Sequence, residues 1–370
     1  MHIIYEGLTS ITLPQVAMML IGLTLMYLGI KKEYEPTLLV PMGLGAILVN
    51  FPNSGMITQP GGSTGVLNIL FEAGIETELF PLLIFIGIGA MIDFGPLLKN
   101  PFMLLFGGAA QFGIFFVVVV AVLFGFTIEQ AASIGIIGAA DGPTSIFVAN
   151  KLAPDLLGPI TVAAYSYMAL VPIIQPFAIK LVTTKKERQI RMKYKAEGVS
   201  QKVKIFFPII ITLVAGFIAP VSLPLVGFLM FGNLLRETGV LDRLSSTAQN
   251  ELVNIVSILL GLTISLKMTA DAFLNVQTLM IILFGLVAFV MDTIGGVLFV
   301  KLLNLFRKEK MNPMIGAAGI SAFPMSARVV QRLASEEDKQ NFVLNYAIGA
   351  NVSGQIASVI AGGLILSLLG

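Results

Sequence analysis

The chain is 370 residues long, 56% hydrophobic and only 12% charged, with a formal net charge of +2, and its mean hydropathy is +0.90. That composition leaves too little polar surface for a soluble globule, and so small a charge gives nucleic acid no basic footprint. With no Cys and a single His, His2, zinc, haem, iron–sulfur and thiol chemistry are excluded. The expectation is an all-α polytopic membrane protein without a soluble domain, whose chemistry rests on carboxylate, amide, hydroxyl, guanidinium and backbone carbonyl.

A span needs roughly 20 apolar residues, fewer when it is buried among other helices. None of the apolar runs has the short, cleavable form of a signal peptide, so the first, at 11–30, is expected to stay as a span. Lys31 and Lys32 follow it, then a second run at 37–51. From Phe51 to Gly65 the sequence is polar and turn-rich, and a short amphipathic stretch carries Glu72, Glu76 and Glu78; this reads as an external cap or interfacial helix with a solvated acidic face. Further spans are predicted at 79–98, 101–126, 155–182, 203–219, 221–235, 249–266, 276–303 and 341–368. The run from Thr184 to Lys195 is the strongest cytoplasmic marker and Arg307 to Lys310 a weaker one, whereas residues 33–98 hold no Lys or Arg, as an external stretch should.

Two stretches, 135–155 and 316–336, match each other without a gap, in two broken segments between these spans at 128–152 and 312–333. A constant offset takes Gly135 to Gly316, Gly138 to Gly319, Pro143 to Pro324, Ser145 to Ser326 and Tyr165 to Tyr346, and Lys151 meets Arg332. Each segment places glycines and a proline inside an apolar run, which frees backbone groups from the helical ladder. Paired, interrupted segments of this kind point to an ion or substrate site within the bilayer. The basic markers agree with one another only if each broken segment enters and leaves on the same side, as a re-entrant hairpin. Each half, 1–200 and 201–370, then has five crossings and one hairpin. An odd number of crossings inverts the second half, so the hairpins dip in from opposite faces and their tips meet. Asp93 and Asp271 support the duplication, standing at the same distance before Leu105-Phe106-Gly107 and Leu283-Phe284-Gly285.

Few residues in the apolar runs carry chemistry. A carboxylate at membrane depth, Asp141, costs on the order of 3 kcal/mol or more unless paired or hydrated. With Thr144, Ser145 and carbonyls freed at the break it offers the hard oxygens an alkali cation takes, although a carboxylate held by helix N-terminal amides would also close a hairpin. The second segment has no acid and contributes Asn312 and Ser321 as neutral oxygen ligands or helix hydrogen-bonders. It also contributes Arg328, one turn past Pro324, whose guanidinium can fork onto a carboxylate or carbamate or serve as a structural arginine. Tyr167 is a phenol among apolar helices, by default a packing residue, and Asn351 lies in the small-residue stretch Gly349 to Gly354 of the matching span. Asp93 and Asp271 lie near span ends, where solvation explains them. The chain has no Walker loop, so the energy comes from an ion gradient or a partner.

The strings Gly138 to Phe147, Ala164 to Pro176 and Ile315 to Arg328 resemble the beta subunit of the biotin-dependent, sodium-translocating decarboxylases that act on oxaloacetate, methylmalonyl-CoA and glutaconyl-CoA, and the resemblance runs from about residue 10 to the end. It implies a membrane subunit that decarboxylates carboxybiotin on the cytoplasmic side, consumes a proton and exports Na+. Carboxybiotin would be presented by a partner, with no biotin on this chain. The expected partners are a carboxyltransferase subunit, a biotin carrier protein and a small membrane-anchor subunit, in a homo-oligomer, a trimer, in the bacterial inner membrane. Carried over by position, the resemblance implies sodium and proton roles for Asp141 and Tyr167. It implies a further Na+ cluster of Asn312, Gly316, Ser321 and Asn351, and places Arg328 at the approach of carboxybiotin. The alternative is a stand-alone secondary transporter, an Na+/H+ antiporter or an Na+–carboxylate symporter, built on the same hairpins; dependence on a biotinylated partner separates the two.

Overall fold

Backbone groups that leave water must bond within their own segment, and this chain meets that demand with helices. The computed structural model describes residues 10–52, 54–59, 63–192 and 198–370, and among them there is no strand. His2, Lys193 and Lys195 of the basic run, and Asn53, Gly61 and Gly62 of the polar cap lie outside the described residues.

Among the described residues, seven helical stretches are long and apolar enough to cross a membrane. They contain α1 (Leu13–Lys32), the pair α4 (Leu104–Ala110) and α5 (Phe112–Leu123), α8 (Leu157–Val182), α9 (Gln201–Ile218), α11 (Val253–Ile264), α12 (Val276–Phe306) and α15 (Leu344–Leu369). The spans expected at 37–51, 79–98 and 221–235 appear as the shorter helices α2 (Pro36–Val49), α3 (Leu79–Met91) and α10 (Leu223–Glu237). Sequence punctuation sets these ends. A capping box of Thr12 and Gln15 starts α1, one of Thr127 and Gln130 starts α6 (Ile128–Gly135), and Pro101, Pro154 and Pro220 open short 3₁₀ turns.

Both matched segments break where their glycines and prolines stand. The first is α6, a 3₁₀ turn over Ile136–Ala139, and α7 (Gly142–Leu152); the second is α13 (Met314–Ala317), an irregular stretch, and α14 (Met325–Glu337). In each segment the two arms touch. α7 and α14 each pack against both long helices, α8 and α15.

Polar ties show which helix ends share a face. On one face Lys204 reaches Asp93 at 3.1 Å and Glu237 at 3.6 Å, Arg188 pairs with Glu337 at 2.6 Å, Arg191 with Asp338 at 2.6 Å, and Lys301 with Glu187 at 3.1 Å. The described part of the basic run lies here, the feature expected of a cytoplasmic face. At the opposite ends Lys151 pairs with Glu78 at 2.9 Å, and Asn50 donates to the Met268 carbonyl at 2.9 Å and accepts from the Ala270 amide at 2.9 Å.

Candidate ion site between two broken helices

Pro143 has no amide hydrogen, and the chain turns just before it. Ala140 adopts φ 53°, and Asp141 becomes the N-cap of α7, its Oδ1 accepting the Thr144 amide at 3.2 Å. The second break closes on the first: the Ser321 amide donates to the Ala139 carbonyl at 2.8 Å. Asp141 therefore lies where the two interrupted helices meet, only 3% exposed.

Its second oxygen is served from the other half of the chain. Oδ2 accepts from Ser358 Oγ at 2.7 Å and Gln355 Nε2 at 3.0 Å, both on α15, and from Ser321 Oγ at a long 3.5 Å. Ser321 Oγ also stands 3.2 Å from the Gly354 carbonyl and 2.5 Å from Ser358 Oγ. Asn351, Gln355 and Ser358 follow the i, i+4, i+7 spacing of one helix stripe. A glycine is required within it, because a Cβ on Gly354 would fall 2.1 Å from the Gly319 carbonyl oxygen. The Asn351 amide donates to the Ile320 carbonyl at 2.7 Å, leaving its own Oδ1 buried without a partner; Thr144 Oγ1 and the Tyr165 hydroxyl are likewise unpartnered.

Every side chain bonded to Asp141 is a hydroxyl or an amide; no Lys, Arg or His among the described residues pairs with it. Burial removes the water that would stabilise a carboxylate, so in the absence of a cationic side chain the charge must be met by a proton or a small cation. The donor set, carboxylate plus hydroxyl, amide and main-chain oxygens, is of the hard kind that such cations prefer.

The structure brings Asp141 and Ser321 into contact and sets Asn351 on the residue next to Ser321. The other sequence candidates lie apart. Gly316 lets α13 press on α12, since a Cβ there would fall 2.0 Å from the Gly296 carbonyl oxygen. Asn312 is bound to the cytoplasmic segment, its amide donating to the Arg188 carbonyl at 2.8 Å and the Ile190 carbonyl at 3.0 Å. The Tyr167 hydroxyl donates to the Ile282 carbonyl on α12 rather than to Asp141. Arg328 is exposed on α14, and its side chain has no hydrogen bond or ion pair among the described residues. Gln355 and Ser358 were missed by sequence reasoning, although their spacing from Asn351 in an apolar span was a readable signal.

A family model for the Na+-transporting oxaloacetate decarboxylase beta subunit matches residues 14–369. The chain belongs to this beta-subunit family. Relatives include the oxaloacetate decarboxylase beta chain of Haemophilus ducreyi, 44% identical and covering 98% of this chain and 97% of its own. The methylmalonyl-CoA decarboxylase subunit beta of Propionigenium modestum is 48% identical over 98% of this chain and 97% of its own. The glutaconyl-CoA decarboxylase subunit beta of Acidaminococcus fermentans is 49% identical over 99% of this chain and 96% of its own. This member of the family is accordingly a multi-pass subunit of a decarboxylase-coupled sodium pump, one component of a multi-subunit enzyme in the bacterial inner membrane, and not a stand-alone transporter.

Proposed function

We propose that this subunit decarboxylates carboxybiotin brought to its cytoplasmic face by a biotin carrier protein, and that Na+ leaves the cell through the site at Asp141. The observation that carries the reading is a buried carboxylate between two touching helix breaks, surrounded by oxygen and amide groups without a cationic side chain among the described residues. In the reaction the N–C bond of carboxybiotin breaks, CO2 departs, and the ureido nitrogen takes a proton. Asp141 exchanges that proton for Na+, and Tyr167 assists once its hydroxyl leaves the Ile282 carbonyl. Ser321, Ser358 and Asn351 complete the ion's oxygen set, while Gly316 and Asn312 hold the second hairpin in place. Arg328, without an ion pair among the described residues and exposed on an arm that runs toward the cytoplasmic tie at Glu337, meets the carboxybiotin carboxylate.

The relatives act on three different acids at 44, 48 and 49% identity to this chain. Such even similarity supports a step downstream of the acid, with a carboxyltransferase subunit choosing it and a small membrane-anchor subunit joining the assembly; a homo-oligomer, a trimer, belongs to the same reading. The two halves, 1–200 and 201–370, are inverted repeats in this scheme. The polar ties support that arrangement, since α14 ends at the cytoplasmic face, at Glu337, and α7 at the opposite face, at Lys151.

The test is decarboxylation of free carboxybiotin by the purified chain in detergent, with and without Na+, beside Asp141→Asn. Sodium-stimulated CO2 release that the variant loses is expected. Full sodium-dependent turnover by Asp141→Asn overturns the exchange role, and no turnover by folded protein at any Na+ concentration overturns the reaction.

A further inference from the structure

A second carboxylate is buried near the first hairpin, and the proposed mechanism does not use it. Asp292 lies within the long helix α12 and is 0% exposed. Its side chain has no ion pair among the described residues. Its two oxygens have different surroundings. Oδ1 accepts from the Gly113 amide and, at 3.2 Å, from the Ile114 amide, in the first turn of the 12-residue helix α5, whose N-terminal amides and dipole favour an anion. Oδ2 is buried and has no hydrogen-bond partner among the described residues.

That oxygen faces the first hairpin. A Cβ built on Gly138 would lie 2.7 Å from Oδ2, and one built on Gly113 would lie 2.7 Å from Oδ1. Gly138 belongs to the 3₁₀ turn of the first hairpin, and the next residue, Ala139, is the one whose carbonyl accepts the Ser321 amide. Gly113 lets α5 press on the α12 backbone, where a Cβ would fall 2.2 Å from the Ala288 carbonyl oxygen, and Gly138 keeps a side chain away from a carboxylate oxygen that stands behind the junction of the two breaks. A structural N-cap for α5 accounts for Oδ1. It leaves Oδ2 unexplained, because a polar atom withdrawn from water without a partner is costly, and for an anionic carboxylate it is more so.

We propose that Asp292 is a second subsite for a monovalent cation, Na+, on the α12 side of the first hairpin, with Oδ2 as its charged ligand and the α5 amides holding Oδ1 so that Oδ2 points at the hairpin. The inference rests on the proposed sodium function and adds a stop to the ion's route beyond Asp141.

The experiment is equilibrium ²²Na+ binding to the intact decarboxylase complex, comparing wild type, Asp292→Asn and Asp141→Asn. Asparagine keeps an acceptor oxygen for the Gly113 and Ile114 amides, so a purely structural cap survives it, while the charged ligand is lost. The expected result is that Asp292→Asn binds one ion fewer per beta chain than wild type and keeps wild-type thermal stability in sodium-free choline buffer. In the same variant the Na+ concentration for half-maximal decarboxylation rises about tenfold, as for loss of about 1.4 kcal/mol of binding. Wild-type ion binding by Asp292→Asn overturns the inference. If that variant does not assemble, Gly138→Ala takes its place: it puts a methyl in front of Oδ2 while retaining the carboxylate, and undiminished ²²Na+ binding by it is equally fatal. Loss of binding in Asp141→Asn alone leaves the sodium function standing and refutes only the second subsite. No specific binding to wild type refutes the function itself.

Discussion

Ser358→Ala tests whether the polar stripe of α15 is part of the ion site or only packs beside it. The Ser358 hydroxyl stands 2.7 Å from Asp141 Oδ2 and 2.5 Å from Ser321 Oγ, so its one proton satisfies one neighbour and its lone pairs remain for a cation. Two opposed effects follow from its removal. With the ion bound, a ligand oxygen of charge-assisted strength is lost, worth about 1.5–3 kcal/mol; with Asp141 protonated, an ordinary hydrogen bond worth about 0.5–1.5 kcal/mol is lost. The difference, about 1–1.5 kcal/mol, weakens Na+ binding by roughly five- to twelvefold. The assay is the Na+ concentration giving half-maximal decarboxylation at fixed pH, with maximal rate measured separately. A rise in half-saturation with a nearly unchanged maximal rate is expected. Ser321→Ala should act similarly, and the double variant should fall short of the sum, because the two hydroxyls touch. An unchanged half-saturation in Ser358→Ala, alongside a dead Asp141→Asn, would show that the cation does not use this hydroxyl and that the α15 stripe only packs against the carboxylate.

Two further predictions concern the ties between helices. Burial alone would raise the Asp93 carboxyl, but the Gly95 amide, the hydrogen bond and charge of Lys204, and Arg236 hold it below the usual carboxylate value. A lowered folded-state pKa means that its stabilisation is complete above the unfolded value of about 3.9 and fades only as pH falls through the lower folded value. The thermal midpoint of the detergent-purified chain should therefore owe no change to Asp93 between pH 8 and pH 5 (about one unit above that unfolded value). Lys204→Ala should lower the midpoint across that whole range, since it removes an ammonium that both Asp93 and the buried Glu237 reach and leaves them only Arg236, at a cost of about 1–3 kcal/mol. Pro176 denies the Pro172 carbonyl its helical donor, and Arg332 Nη2 supplies one at 3.0 Å from α14. Arg332→Ala should lower the thermal midpoint, and adding Pro176→Ala, which returns an amide hydrogen to α8, should recover part of the loss; no recovery would mean that Arg332 acts through Glu336 instead.

Much of this arrangement is legible in the sequence because local chemistry dictates it. Pro143 and Pro324 cannot continue a hydrogen-bonded helix, so the breaks fall beside them, and Asp141 is conspicuous as an acid in an apolar run. The long-range partners are a different matter. Gln355 and Ser358 reach Asp141 across more than half the chain, and only the packing of α15 against α7 tells which acid their stripe faces. Asn312 and Tyr167 are given ion-site roles only by the resemblance, and their hydrogen bonds go to the Arg188, Ile190 and Ile282 carbonyls, a choice that depends on how α13 and α8 dock. Asp292 escaped notice because nothing near it in sequence breaks the helix; its meaning comes from the α5 amides and the Gly138 turn that fold against it.

The proposed duplication supplies two matched breaks but only one acid within them. Gln355 of the second half donates to Asp141 in the first hairpin, and Gln175 of the first half donates to the Ala317 carbonyl at 2.8 Å and to Ser326 Oγ at 2.7 Å in the second hairpin. The constant offset that joins Gly138 to Gly319 carries Asp141 to Ala322, so the matching position in the second break has no charge. On the proposed function this asymmetry couples the two half-reactions. Asp141 with Na+ is neutral and so is Asp141 with a proton, and either form can change its exposure from one face to the other. The bare carboxylate is charged, and its movement through the low-dielectric interior is opposed by desolvation and by about 2.3 kcal/mol per 100 mV of membrane potential for each charge moved the wrong way. Hairpins that carry one acid can therefore cross loaded or protonated but not empty, which ties the Na+ exported at Asp141 to the proton consumed when carboxybiotin breaks down. A second acid at position 322 would add a charge that neither a single Na+ nor a single proton neutralises, and the hairpins would be held still in both forms.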